Sequence, residues 1–344
     1  MGAFIPECRE KQLPSMGSFI PLEKKITDPP KTALKKVILL AGPTACGKSA
    51  LALLLAELLG GEIISVDSMQ VYRGMDIGTA KVSQEQLNQV EHHLINIRDI
   101  QENFNVVDFY YEATQCCESI LARGRVPILC GGTGFYFRSF IYGPPSGPPS
   151  VPSVRTNLEL EMKVRGAAAL FELLRDFDPE YASSITINDK HKIIRALEII
   201  MLTGEKVSAL KWQREKPLDN YAFHSWFVYR PREQLYPMID GRCEQMLELG
   251  LMDEVAELDK KGLQLNASAS QAIGYRQCLD YLASAQTDDD YQQFVNRFKI
   301  ASRNYAKRQF TWFKKEPLFH WLNVDIHDPE IAAEMIAQEY LSAH

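Results

Sequence analysis

The chain lacks any apolar run of the roughly 20 residues that a helix needs to cross a membrane, because Gly, Lys or Asp interrupts the longest candidates. We therefore expect a soluble protein without a membrane partner. Residues 1–35 also lack the continuous apolar centre of a secretory signal and the basic bias of a transit peptide. Five prolines and scattered charges predict a flexible leader there.

Cysteines at metal-binding spacing are missing as well. Seven cysteines are spread over 344 residues without a C-x-x-C pair, which argues against a zinc finger. An odd number of thiols, with Cys46 inside a glycine-rich loop, is typical of the reducing cytosol, so we expect a cytoplasmic protein. His92 and His93 have no third ligand at metal spacing, and we expect them to form hydrogen bonds at a strand edge.

A general excess of basic charge is absent too, because the net charge is −6. Residues 297–315 nevertheless contain seven basic residues and no acid, a segment that we call the basic strip. A local strip on an acidic chain can bind a polyanion at one place, although taken alone it also fits a solvated helix face. Tyr305 and Trp312 lie among these cations, a mixture that suits unpaired RNA bases better than duplex DNA.

A glycine-rich pattern follows the first apolar run of the chain. Residues 42–49 read Gly-Pro-Thr-Ala-Cys-Gly-Lys-Ser, between the apolar run 37–41 and a helical pattern at 50–59. Such a turn directs backbone N–H groups and a helix N-terminus at one space, which suits two adjacent phosphates. Lys48 adds a mobile charge and Ser49 a hydroxyl for Mg²⁺. An ordinary strand-to-helix turn is the alternative, and the loop does not identify its phosphate compound.

Short apolar runs recur along the first two thirds of the chain, at 37–41, 62–66, 93–97, 126–130 and 223–229. Most of the intervals have helical periodicity. Strands that alternate with helices predict an α/β fold with a parallel sheet covered on both faces. In such sheets the ligand binds beyond the carboxyl ends of the strands.

A proline- and glycine-rich stretch at 143–152 interrupts this alternation, because it can form neither a helix nor a central strand. We predict a helical insertion domain at 143–188. The catalytic core would then comprise 36–142 and 189–344, with an almost entirely helical region beyond Arg232.

Polar residues follow two of the predicted strands. Asp67 ends the second apolar run, where it would hold Mg²⁺ or act as a general base; a cap for the next turn is the alternative. Gly131 and Gly132 after the fourth run permit close approach of a ligand or backbone, and Thr133 would face the same crevice.

The predicted helix at 191–201, which returns from the insertion, has Lys192 and Arg195 on one face. A lid helix that brings cations to a departing phosphate is one interpretation of this pattern. A solvated amphipathic helix is the other.

Several blocks of this sequence resemble the tRNA dimethylallyltransferase family of the bacterial type, in order and with the family's spacing. The resemblance runs from about Lys36 to Phe313, and its block from Asp67 to Lys81 is far more specific than the glycine-rich loop. The matching blocks are Gly42-Pro-Thr-Ala-Cys-Gly-Lys-Ser49, Asp67-Ser-Met-Gln-Val-Tyr-Arg-Gly-Met-Asp-Ile-Gly-Thr-Ala-Lys81, His92-His-Leu-Ile, Gly131-Gly-Thr-Gly-Phe-Tyr136, Arg195-Ala-Leu-Glu198, Thr203-Gly204, Gly274-Tyr275 and Ala306-Lys-Arg-Gln-Phe-Thr-Trp312.

The resemblance implies a P-loop NTPase-like fold and transfer of a dimethylallyl group from dimethylallyl diphosphate to tRNA. The acceptor would be N6 of the adenosine at position 37, next to the anticodon, in tRNAs that read codons beginning with U. The loop would then hold a departing diphosphate instead of ATP. We further expect Mg²⁺ as cofactor, the anticodon stem-loop as the bound part of tRNA, and a monomer.

The same resemblance assigns roles to individual residues. Asp67 would be the general base, Thr44 would contact the diphosphate, Arg232 would stabilise it, and Ser49 would assist Mg²⁺. The diphosphate-binding residues would be Gly42, Pro43, Thr44, Ala45, Cys46, Gly47, Lys48 and Ser49. The tRNA-binding residues would be Asp67, Ser68, Met69, Gln70, Thr133, Arg155, His191, Lys192, Ile193, Ile194, Arg195, Gln271, Ala272, Ile273, Gly274, Tyr275, Arg276, Arg303, Lys307 and Arg308.

The sequence departs from the family pattern at several positions. Asn96 stands where Asp is common, and Lys192 where Arg is usual, which replaces a planar fork with a point charge. Pro237-Met238 replaces a more polar pair, and Ser302 a Thr. These changes concern tRNA contacts. A separate observation is that no zinc-finger cysteines follow Trp312.

Three other functions fit parts of the sequence. A small-molecule P-loop kinase would use ATP, with Asp67 on Mg²⁺, but would have no use for the basic strip. An adenylate isopentenyltransferase would need neither the insertion nor the cationic C-terminal region. A non-catalytic tRNA-binding module would have no use for a phosphate loop beside Asp67.

Overall fold

The computed structural model describes residues 34–210 and 216–342. The predicted leader lies outside this part except for its last two residues, and Lys35 already belongs to the first strand. The strands are β1 Lys35–Ala41, β2 Gly61–Val66, β3 His92–His93, β4 Val126–Gly131, β5 Tyr221–Tyr229 and β6 His320–Asn323. The α-helices are α1 Lys48–Leu59, α2 Gln84–Gln89, α3 Val106–Ala122, α4 Gly134–Tyr142, α5 Pro152–Phe177, α6 Pro179–Ser183, α7 Lys190–Thr203, α8 Arg232–Glu248, α9 Leu251–Lys260, α10 Tyr275–Leu282, α11 Asp288–Phe313 and α12 Pro329–Ser342.

The six strands form one parallel sheet in the order β3-β2-β4-β1-β5-β6. This confirms the predicted α/β fold. The five residues from Val37 to Ala41 in central β1 are completely buried, as expected for a strand covered on both faces. Register pairs Ala41 with Gly131 and Gly131 with Val66, so the carboxyl ends of β1, β2 and β4 lie side by side.

Two strands differ from the prediction. The third is limited to His92–His93, because Leu94 and Asn96 adopt positive φ angles of 62° and 56°, which interrupt extended backbone. The sixth strand lies within the region predicted to be almost entirely helical. It has four residues, of which His320 and Trp321 are exposed, so its sequence lacks the buried apolar run of the central strands.

The buried apolar residues form two separate clusters. The larger cluster surrounds the sheet, and the smaller one joins α5, α6 and α7. Members of the smaller cluster range from Leu158 to Val207 and therefore extend beyond residue 188. The predicted domain boundary stays a prediction, and this packing supports placing its end nearer to residue 207.

Among the described residues, no helix combines the length and the apolar character that crossing a membrane requires.

Candidate active site

The glycine-rich loop forms the turn from β1 into α1. Gly47, which precedes the helix, has a φ of 95°, a backbone conformation that side chains other than glycine rarely adopt. A Cβ on Gly42 would lie 2.5 Å from the carbonyl oxygen of Val228, so the loop packs directly against β5. The sequence therefore needs these two glycines to shape the loop and to let it approach the sheet.

Two adjoining cavities open beside this loop, with volumes of about 90 and 320 Å³. The first is lined by Lys48 and Ser49 of α1 together with residues from the ends of β2 and β4. The second extends toward α10 and α11. Both are lined by Thr44, Asp67, Thr79, Arg242 and Tyr305.

Asp67 follows β2 and lies where the two cavities meet. Its Oδ1 accepts hydrogen bonds from the backbone N–H groups of Met69 and Gln70, at 2.8 and 3.3 Å. Within the described residues no hydrogen bond engages Oδ2. The carboxylate thus caps the next turn with one oxygen and offers the other to a ligand, so the two interpretations of Asp67 are compatible.

Gln70 is held in place by both ends of its amide. Its Oε1 accepts from Oγ of Ser65 at 2.9 Å, and its Nε2 donates to the carbonyl oxygen of Thr79 at 3.2 Å. An amide has two donor hydrogens and two acceptor lone pairs. One of each therefore stays available in the first cavity.

Gln309 on α11 was not among the predicted site residues, although it belongs to one of the matching blocks. It is buried; its Oε1 accepts from the N–H of Thr44 at 3.0 Å, and its Nε2 donates to the carbonyl oxygen of Gly132 at 3.1 Å. This amide joins the glycine-rich loop to the end of β4. A Cβ on Gly132 would lie 2.1 Å from Nε2, so glycine is required at that contact.

Gly132→Ala is expected to lower the free energy of unfolding by about 1–3 kcal/mol, because the new methyl group must displace Gln309 from both partners. Urea denaturation of the purified protein measures the change. Gly241→Ala is the control, since a Cβ at this helical position meets no atom within 4 Å and should stabilise α8 by about 0.5–1 kcal/mol. Equal unfolding midpoints for Gly132→Ala and wild type would contradict the close contact.

The structure does not bring Arg232 to the site. Arg232 is exposed at the first turn of α8 and lines none of the described cavities beside the loop. Arg242, ten residues further along the same helix, lines both cavities and donates from a guanidinium NH to Oγ1 of Thr44 at 3.3 Å. Burial lowers the pKa of Arg242 from its ordinary value, but a guanidinium stays charged in proteins. The geometry therefore favours Arg242 over Arg232 for this position, and the role predicted for Arg232 stays a prediction.

The predicted tRNA-binding residues near α10 divide into two sets. Ser68, Met69, Gln271, Ala272, Ile273 and Arg308 line the second cavity, and Arg276 is exposed. Thr133 interacts with the Tyr305 hydroxyl. Tyr275 is fully buried and donates to Oε1 of Glu254 at 2.5 Å, and Gly274, with a φ of 91°, precedes α10. Tyr275 nevertheless also lines the second cavity, and Gly274 forms the turn that leads into its helix.

The predicted tRNA-binding residues of α7 are not all exposed. Ile193 and Ile194 are buried in the smaller cluster, so their side chains cannot reach RNA in this conformation, and their assignment is corrected. Arg195 donates to the buried carboxylate of Glu198 at 2.7 Å and to the carbonyl oxygen of Pro148 at 2.5 Å. It therefore holds the proline- and glycine-rich segment before α5 against α7.

The other predicted contacts of the insertion are carried by exposed or half-exposed side chains. His191 and Lys192 are exposed, and Lys192 pairs with Asp189 at 3.1 Å. Arg155 on α5 pairs with Glu159 at 3.0 Å. Exposed pairs of this kind contribute little to stability, so these cations stay available to a polyanion.

The basic strip divides into two parts on α11. Toward its N-terminus, Lys299 and Arg303 pair with acids of α8. Toward its C-terminus, Lys307 and Arg308 are exposed, and no ion pair engages them within the described residues. Together with Trp312 they line a groove of about 430 Å³. The C-terminal part is therefore the one that can bind phosphates.

The histidine pair forms hydrogen bonds at the edge of the sheet, as predicted. Nδ1 of His92 lies 2.8 Å from the carbonyl oxygen of Val90, and Nε2 of His93 lies 2.7 Å from Oε2 of Glu62. Glu62, Glu91 and His93 are close enough to share an ion, but Arg123 donates to the same Glu62 oxygen at 2.6 Å. That guanidinium already supplies the positive charge which a metal ion would bring.

Comparison with known proteins agrees with the resemblance in the sequence. The family model described as IPP transferase matches residues 70–316. A protein of Protochlamydia amoebophila named tRNA dimethylallyltransferase is 56% identical over 340 residues, which cover 99% of each chain. A protein of the same name from Chlamydia felis is 47% identical and covers 97% of this chain and 98% of its own.

Solved structures agree with the sequence matches. The full-length tRNA isopentenylpyrophosphate transferase from Bacillus halodurans has a TM-score of 0.65 at 38% identity, covering 89% of this chain and 97% of its own. A eukaryotic dimethylallyltransferase described as acting on tRNA has a TM-score of 0.72 at 26% identity, covering 90% of this chain and 80% of its own. With its P-loop NTPase-like sheet and its match over nearly the whole length, this chain belongs to the tRNA dimethylallyltransferase family.

Proposed function

We propose that this protein transfers the dimethylallyl group of dimethylallyl diphosphate to N6 of adenosine 37 in tRNAs that read codons beginning with U. The observation that carries the proposal is the meeting of two cavities at Asp67, with the glycine-rich loop on one side. A donor diphosphate on the loop and an adenine in the second cavity would face each other across this carboxylate.

The loop suits a diphosphate that accumulates charge as it leaves. The start of α1, whose first backbone N–H groups have no partner within the helix, lines the first cavity together with Lys48, and Arg242, which also lines it, donates to Thr44. Fixed donors of this kind stabilise charge that develops in the transition state. We infer that the C1–O bond of the donor breaks here.

Asp67 suits the proton transfer on the acceptor side. The adenine amine is a weak nucleophile because its lone pair is delocalised into the ring. As the C1–N6 bond forms, Asp67 takes one N6 proton, and the electron pair of the C1–O bond leaves with the diphosphate. The two hydrogen bonds that Oδ1 accepts from backbone N–H groups would hold the carboxylate in place during this step.

The oxygen atoms around the first cavity fit Mg²⁺, which prefers hydroxyl, carboxylate and phosphate oxygens. Ser49 and Asp67 both line this cavity, and Ser49 is the residue that would hold the ion. When bound, Mg²⁺ would neutralise charge on the departing diphosphate.

The second cavity and the neighbouring groove suit an unpaired segment of RNA. Adenosine 37 must leave its stack to reach Asp67, and the second cavity offers Met69 and Ile273 beside Asp67. Arg308 lines both this cavity and the neighbouring groove, and Lys307 lines the groove, where the phosphates of an anticodon stem-loop would pass. We propose a cytoplasmic monomer, with the insertion contacting the anticodon loop.

Purified protein with Mg²⁺ and dimethylallyl diphosphate is expected to add one dimethylallyl group to an anticodon stem-loop bearing A-A-A at positions 36–38. Mass spectrometry of the RNA measures the product. A stem-loop with inosine at position 37 is the matched control, because inosine lacks the N6 amine and should not react. ATP turnover without prenylation would favour a kinase, and prenylation of free AMP with an unchanged stem-loop would favour an adenylate isopentenyltransferase.

A further inference from the structure

Arg230 lies at the end of β5, outside the cavities, and connects the glycine-rich loop to the last strand of the sheet. Its Nε donates to the carbonyl oxygen of Cys46 at 3.3 Å, and the same guanidinium pairs with Asp325. Both side chains are largely buried, with 22% and 19% of their surfaces exposed. Neither Arg230 nor Asp325 has so far been assigned a role in the reaction.

The carbonyl that Arg230 holds determines the direction of a donor in the loop. A trans peptide is planar, so the C=O of Cys46 and the N–H of Gly47 point in opposite directions. Gly47, with its φ of 95°, has few steric restraints of its own. Fixing the Cys46 oxygen toward Arg230 therefore fixes the Gly47 N–H on the other side of the peptide plane.

The partner of Arg230 is itself anchored by the short sixth strand. The N–H of Val324 donates to the carbonyl oxygen of Tyr229 at 3.0 Å, and the N–H of Asp325 donates to Oδ1 of Asn323 at 3.0 Å. The turn after β6 thus holds the Asp325 carboxylate beside the end of β5. These contacts are all made within the chain.

We propose that Arg230, held by Asp325, is a positioning residue for the diphosphate loop. It orients the Cys46–Gly47 peptide so that the loop donors are in place before the donor substrate binds. An oriented donor needs no reorganisation when the diphosphate arrives. This inference rests on the proposed function, because it assumes that the loop binds the diphosphate of the prenyl donor.

Arg230→Met is expected to raise the KM for dimethylallyl diphosphate about tenfold, the effect of one lost charge-assisted hydrogen bond. The kcat at saturating donor and the KM for the RNA stem-loop should stay within about threefold. Isothermal titration with inorganic diphosphate and Mg²⁺ should show the same weakening without any catalytic step. Arg230→Lys should resemble Arg230→Met, because an ammonium lacks the planar fork that spans a carbonyl and a carboxylate.

Arg125→Met is the matched control. Nε of Arg125 donates to the carbonyl oxygen of Gly60 at 3.2 Å and lies 3.5 Å from Glu62, so the same kinds of contact occur at the amino ends of β2 and β4, whereas the glycine-rich loop follows the carboxyl end of β1. This variant should retain the donor KM of the wild type even if its melting temperature falls.

Three results would overturn the proposal for Arg230. The first is a donor KM and diphosphate affinity within twofold of wild type in Arg230→Met, and the second is an equal loss in Arg125→Met. The third is full recovery in Arg230→Lys, which would assign the effect to charge alone. A wild-type protein that binds inorganic diphosphate but prenylates no RNA would instead refute the proposed function. The effect of Arg230→Met on diphosphate binding would still test the role of Arg230 in the loop.

Discussion

Asp67→Asn is expected to lower kcat for prenyl transfer by about two to four orders of magnitude, the usual contribution of a general base. The amide keeps Oδ1 as an acceptor for the N–H groups of Met69 and Gln70, so the turn after β2 should be preserved. What the amide loses is the ability to take the N6 proton. Turnover should therefore fall while tRNA affinity stays within severalfold.

Single-turnover prenylation at saturating donor, combined with filter binding of the stem-loop, separates the two effects for Asp67→Asn. Asp99→Asn is a suitable control, because Asp99 is an exposed carboxylate that pairs with Arg73 at 2.8 Å and lines neither cavity. A large loss of RNA binding with intact turnover at saturation would assign Asp67 to recognition.

Arg242→Met is expected to lower kcat/KM by about two to three orders of magnitude, as does removal of a fixed donor that stabilises transition-state charge. The guanidinium lies on both cavities and contacts Thr44 of the loop. Its loss removes a cation from the cavity that Lys48 also lines, where the departing diphosphate would accumulate charge. Steady-state kinetics with the donor varied at saturating RNA measures the change.

Arg232→Met separates this effect from a general loss of positive charge on α8. Arg232 belongs to the same helix but is exposed and lines neither cavity, so its replacement should change kcat/KM by less than about twofold. If the Arg232 variant lost activity and the Arg242 variant retained it, the assignment from the sequence would be restored and that from the structure rejected.

The sequence predicted the central strands well because each is a continuous apolar run buried on both faces. It failed at the edges of the sheet. Strand β3 ends where Leu94 takes a positive φ, and β6 has exposed residues that give no apolar run. Edge strands form because a neighbour offers hydrogen bonds, and a local pattern does not record that neighbour.

Some residues of the candidate site could likewise be predicted from the sequence, and others could not. Asp67 and the loop residues were found from the sequence because each lies next to the strand or helix that places it. Arg232 and Arg242 could not be distinguished, since both lie on α8 and ten helical residues span about 15 Å. Of the two, only Arg242 lies on the part of α8 that lines the cavities beside the loop. Gln309 was passed over for a related reason, because its two partners are 265 and 177 residues away.

The sequence by itself determined the glycine-rich loop, the acid after β2, the parallel α/β fold and the family. The loop, the acid and the individual strands depend on residues that are close in the chain, and the family on short blocks in a fixed order, so local side chains and backbone preferences suffice to specify them. Tertiary structure alone decided which cations reach the site: Arg242 faces Thr44 and Arg230 holds the Cys46 carbonyl, whereas Lys299 and Arg303 are neutralised by α8. A cation's partner depends on which elements pack against it, and that packing is fixed only when the whole chain has folded.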